Sequence, residues 1–148
     1  MRWMLAVMIS VVVLLSGCAT FSQQSAAPLA AKVLGADTIT YWVDAPGNPV
    51  SLAMLRAALA SHTPSTLVSD LSGLIATSLK EPTRIAVAGR NSGLTAQVVE
   101  LALADVPAAE LPGLQLLFIG DRADAEAVRA AVEAKKARFV FQAAPAAR

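Results

Sequence analysis

Seven residues of this sequence could act together on a small molecule or a partner: Asp44, Asn48, Arg90, Asn91, Ser92, Asp121 and Arg122. They offer carboxylates, guanidiniums, amides and a hydroxyl, a set that suits holding a polar group better than breaking a bond. Gly89-Arg-Asn-Ser-Gly93 runs into a helical pattern, and the free N–H groups at a helix start favour an anion. The turn is neither the GxGxxG of dinucleotide sites nor a Walker loop with Gly-Lys-Ser/Thr. A plain strand-to-helix turn with Ser92 as cap is the simpler account of it.

His62 is the only imidazole, and a Ser-His-Asp arrangement would have to use it. No GxSxG elbow supplies the serine, so His62 reads as a solvated loop residue beside Pro64. Asp121, Asp124 and Glu126 gather where the last helix should begin, and there negative charge suits the helix dipole. Lys135, Lys136 and Arg138 mirror them at its end and read as a solvated face. Nothing in the spacing sets two acids across a cleft, as a retaining glycosidase needs. One cysteine with one histidine makes neither an internal disulfide nor a zinc site, so no metal and no cofactor is expected. The adjacent rings of Tyr41 and Trp42 would point to opposite sides of a strand. If that strand lies at an edge, one of them becomes a candidate partner surface.

The elements that must position these groups follow from pattern. Residues 38–43 are β-branched and aromatic and predict a first strand; 44–49 hold two prolines, a glycine and an asparagine and predict a loop. Ser51 looks like the cap of a helix with Leu52, Leu55 and Leu59 on one face, and a second helix opens near Ser65. Apolar runs at 84–88 and 114–119 and a shorter one at 138–142 predict three more strands. Between them lie helices, one with Leu94, Val98, Leu101 and Ala102 inside and one with Ala127, Val128 and Ala131 inside. Strands alternating with helices predict an α/β fold, a small three-layer Rossmann-like domain with about four mainly parallel strands flanked by helices. If residues 51–62 and 66–79 form a hairpin of helices, the first strand could run antiparallel to the second. Ligands in such sheets bind beyond the carboxyl ends of the strands, where all seven polar residues fall.

The start of the chain carries a different message. Arg2 is the only charge before Lys32, and residues 3–15 are apolar apart from Ser10. As a helix that stretch spans about 20 Å, too short for a bilayer core of about 30 Å but suited to a secretory signal. It ends in Leu15-Ser16-Gly17-Cys18, which resembles the lipobox of bacterial lipoproteins. Small side chains let the backbone enter a peptidase cleft, and the Cys18 thiol is the nucleophile that takes a lipid. The resemblance implies cleavage before Cys18, covalent diacylglyceryl and N-acyl (palmitate-type) groups on that residue, and a membrane anchor. Ala19 in place of an aspartate implies the outer membrane, periplasmic side. It says nothing of the domain behind the signal.

The expected organisation is therefore a signal peptide over 1–17, a lipidated Cys18 and flexible tether over 18–37 with a short helix from Pro28 to Leu34, a domain over 38–142 and a disordered tail over 143–148. Hydrophobic residues make up 55% of the chain, but 31 of the 148 residues are alanine, so core volume is smaller than that fraction suggests. Removing Arg2 with the signal leaves 11 Lys and Arg against 11 Asp and Glu, and a neutral chain without a basic run has no footprint for nucleic acid. The expectation is a non-enzymatic, lipid-anchored accessory or assembly protein of a bacterial cell-envelope complex for secretion, pilus assembly or export. It would work by protein–protein interaction with an envelope partner or a second copy. The alternative is a small-ligand-binding module with the three polar loops as its mouth.

Overall fold

A computed structural model describes residues 21–145; residues 1–20, with the expected signal peptide and Cys18, and residues 146–148 lie outside the described residues. Nine main elements follow one another: α1 (Gln23–Leu34), β1 (Ile39–Val43), α2 (Pro49–Ala60), α3 (Thr66–Ala76), β2 (Thr83–Gly89), α4 (Ser92–Asp105), β3 (Leu114–Gly120), α5 (Arg122–Ala134) and β4 (Arg138–Ala143). A short 3-10 turn, Thr77–Leu79, extends α3. All four strands are parallel, in the order β1-β2-β3-β4, with Ile39, Ile85, Leu116 and Phe139 abreast. The pair of helices between β1 and β2 therefore does not reverse the first strand.

The strand order advances in one direction only. Parallel crossovers are right-handed, so every connecting helix falls on the same face of the sheet. There Leu59 of α2, Leu71 and Ile75 of α3, Val98 and Ala102 of α4 and Val128 of α5 close over Ile85, Val87, Leu116 and Phe118. The opposite face, with Ala86, Ala88, Leu117 and Ile119, would be bare without α1, whose Ala26, Ala30 and Leu34 are buried against it.

This helix is the main departure from expectation. Residues 23–34 are not tether: they form a full helix that belongs to the packed domain. Its start is set by Ser22, whose N–H donates to Ser25 Oγ (2.8 Å) while the Ser25 hydroxyl donates back to the Ser22 carbonyl (2.9 Å). Pro28 falls in the second turn instead of the first. It has no N–H to offer the Gln24 carbonyl, but Gln24 and Pro28 both face solvent, where water serves instead. At the far end Arg84 Nη1 donates to the Leu34 carbonyl (3.1 Å), and Gly35, at φ +110°, turns the chain into β1.

Two smaller differences have local causes. The inner face of α5 is Ala125, Val128 and Val132, whereas Ala127 is exposed. At the other end of the chain, Ala143 closes β4 and the Ala144 N–H donates to the Gly120 carbonyl (3.0 Å), so the start of the expected tail is tied to the sheet.

Candidate functional site

The seven polar residues do collect at the carboxyl end of the sheet, but three of them, Asn48, Asn91 and Ser92, are engaged in holding the loops. The loop after β1 ends in Asn48, whose side chain accepts from the N–H of Val50 (2.8 Å) and of Ser51 (3.4 Å). Asn48 is thus the cap of α2, three residues before Ser51, and Pro49 fits the first helical position because its missing N–H would have been unpaired there. After β2, Asn91 and not Ser92 caps α4, its Oδ1 accepting from Leu94 N–H at 2.8 Å. The Ser92 hydroxyl accepts from the Asp121 N–H (2.8 Å) and so ties the second loop to the third. Asp121 stands at the start of α5 but makes no side-chain cap bond.

Two glycines let these loops approach. A methyl on Gly89 would collide with the Thr95 hydroxyl and the Val43 carbonyl; one on Gly120 would meet Ser92 Oγ at 2.6 Å. Their role is close packing between strand ends, not a cradle for a phosphate. Thr95 is fully buried and donates to the Asn91 carbonyl (2.8 Å), which fixes the same turn from inside.

What remains free is small. Arg90 Nε lies 3.9 Å from Asp44 Oδ1, with side chains 66% and 80% exposed, so the pair is solvated and contributes little to stability. The Arg122 guanidinium stands 6.0 Å from the Phe141 ring centroid. A hollow of about 490 Å³ is bordered by Phe21, Ser22, Gln23, Gln24, Trp42, Asp44 and Arg90. A smaller one, about 220 Å³, lies between Gly89, Arg90, Ser92, Gly120 and Asp121. Because the strand order never reverses, no two neighbouring connections part to form the crevice in which open α/β sheets hold their ligands.

The chain matches no protein-family model, no curated protein and no solved structure. What these groups can do is therefore set by their own geometry. Among the described residues no three His, Cys, Asp or Glu side chains converge as a metal site, and no helix is long and apolar enough to cross a membrane.

Tyr41 and Trp42 point to opposite faces, as alternation in a strand requires, and both are half-buried. The Tyr41 hydroxyl donates to the Leu67 carbonyl (3.0 Å). Burial, and after it the Asp70 carboxylate, raises its pKa. Trp42 packs against Phe21 with ring centroids 5.6 Å apart. Each ring is thus partly covered, Tyr41 by α3 and Trp42 by Phe21.

Lys135 differs from the solvated face expected of it, whereas His62 is the exposed loop residue that the sequence suggests. Lys135 is clamped, its Nζ donating to the carbonyls of Val106 (3.2 Å) and Ala108 (2.7 Å) at the end of α4. His62 is exposed in the turn after α2 with φ +58°. It borders a cleft of about 520 Å³ with Leu59, Val68, Leu101 and Asp105. Burial also raises the pKa of Glu100 on α4. Val50 and Met54 of α2, outside every motif of the sequence, are 67% and 68% exposed. The signal was present: 50, 53, 54 and 57 form an apolar stripe on the side of the helix away from Leu52, Leu55 and Leu59.

Proposed function

We propose that this chain is a lipid-anchored accessory or assembly lipoprotein of a bacterial cell-envelope complex, held on the periplasmic side of the outer membrane through acyl groups on Cys18. The observation that carries the reading is Arg2, the apolar stretch 3–15 and the sequence Leu15-Ser16-Gly17-Cys18. Two or three acyl chains on one residue give stable attachment where one chain is marginal. The use of Asn48, Asn91 and Ser92 within the loops supports a domain that acts by contact rather than by binding or converting a small molecule. A domain confined to a membrane meets its partners at high effective concentration, so a modest contact surface is enough to hold a complex together.

The test is acylation in cells. Wild-type protein should take up labelled palmitate and Cys18→Ser should take up none, leaving the precursor uncleaved. Equal label in the two forms would sink the lipoprotein reading. Mild detergent extracts should then give the wild-type protein at a native size above its monomer, and a strict monomer without a crosslinked partner would count against an assembly role.

A further inference from the structure

Helix α1 runs against the strands. Its first residues border the hollow beside Trp42 and Arg90 at the carboxyl end of the sheet, and its last carbonyl is held by Arg84 near the start of β2. Cys18 stands three residues before Phe21. Three residues of fully extended chain reach about 11 Å at most. Acyl groups on Cys18 would therefore set not only how far the domain lies from the bilayer but which end of it comes near.

The two ends of the sheet differ in chemistry. The loops and turns at the amino ends of the strands expose Asp37, Lys80, Glu81, Glu110, Lys136 and Arg138. At the carboxyl end Asp44 and Arg90 face each other, and Asp121 and Arg122 add one charge of each sign, so both ends balance their charges and differ in exposed apolar surface, which is greatest at the start of α2. Helix α2 opens there after residues 44–48, and its first two turns carry Val50 and Met54, 67% and 68% exposed. With Ala53 and Ala57 they make a stripe without a charge, and among the described residues no large apolar side chain is more exposed than these two. Apolar side chains gain by leaving water for an interfacial layer.

We propose that the carboxyl end of the sheet rests on the phospholipid surface that holds the anchor, with Val50 and Met54 reaching the interfacial layer, and that the amino end is turned away from the membrane. The proposal rests on the lipid-anchor reading above. The anchor fixes the near end, and the apolar stripe of α2 tips the domain so that two separate segments touch the bilayer. A domain held at two points has one orientation, whereas a domain on a tether has many.

The experiment uses full-length acylated protein in proteoliposomes of phosphatidylethanolamine and phosphatidylglycerol containing nitroxide-labelled lipid. Val50→Cys and Met54→Cys place a fluorophore at the near end; Lys80→Cys and Glu110→Cys place it at the far end. With Cys18 acylated, each variant has one free thiol, and all four positions are exposed, so the fold is retained. The near probes should be blue-shifted and quenched several-fold more than the far ones. Equal quenching at both ends, or stronger quenching at Lys80→Cys and Glu110→Cys, overturns the orientation. Intact mass of the same samples separates the two ideas. A chain without acyl groups refutes the anchor and the orientation with it, and an acylated chain with unquenched near probes refutes the orientation alone.

Discussion

One face of the sheet lies under four helices and the other under a single one. The thick side holds Phe118, Leu116 and Ile85 against interlocked helices that also pack on one another. The thin side uses small residues, Ala86 and Ala88 on the sheet against Ala26 and Ala30 on α1, so that one helix can lie close and seal it. Three crossovers of one hand and one direction leave the second face to a segment outside the crossover series. In this chain that segment is the one adjoining Cys18, so the stretch that leads to the proposed anchor is also a structural wall of the domain.

The sharpest way to test the contrast is to make the same cavity on both sides. Leu116 and Leu117 are neighbours on β3, both fully buried, and face opposite ways. Leu→Ala at such sites costs about 2–5 kcal/mol, depending on how far the surroundings can collapse. Leu116→Ala should fall near the top of that range and Leu117→Ala near the bottom, because one helix follows the sheet inward more easily than a packed layer does. Urea unfolding of both variants checks this, and equal losses would mean that α1 is held as rigidly as the other layer. A smaller effect is expected from Arg84→Ala, which removes the hydrogen bond to the Leu34 carbonyl and should cost about 1 kcal/mol. Hydrogen exchange should localise that loss to α1 and leave α4 protected.

The smallest effect belongs to β1, the strand shared by both layers at the edge. Tyr41→Phe removes the bond to the Leu67 carbonyl and should cost about 1 kcal/mol or less near neutral pH. The folded state holds the Tyr41 pKa above its ordinary 10.0, so it prefers the neutral phenol. That contribution is complete below pH 10.0 and is lost as pH rises through the higher folded-state value. Wild-type protein should therefore lose more stability than Tyr41→Phe on going above pH 10.0, and parallel decline of the two would show that the phenol does not report burial.

Much of the fold was legible because parallel strands buried on both faces read as near-continuous apolar runs; Ile85 to Ala88 and, broken only by Gln115, Leu114 to Ile119 are of this kind. What escaped was decided by packing. Pro28 signals a helix start, yet α1 passes through it because Ala26, Ala30 and Leu34 have a sheet face to cover. The Ser22 and Ser25 pair was in the sequence, but two serines are a weaker sign than a serine with a glutamate three residues on. Asn48 displaced Ser51 as a cap because it had Pro49 behind it. In the candidate site, topology alone brought Asp44, Arg90 and Asp121 to one end. That Asn91 and Ser92 would be absorbed by Leu94 and Asp121 N–H groups depends on backbone directions that no pattern of residue types encodes.

Helix α1 comes before every strand in the chain, but its seat is built from three of them. Ala26 and Ala30 share their cluster with Leu117 and Ile119 of β3, so the seat is incomplete until the chain has been made through Gly120. Closing so long a loop is slow compared with forming the local helix contacts of the other face. The first helix of the domain to emerge therefore waits for β3 before it can be seated, and through that interval its buried stripe is open to whatever holds the growing chain.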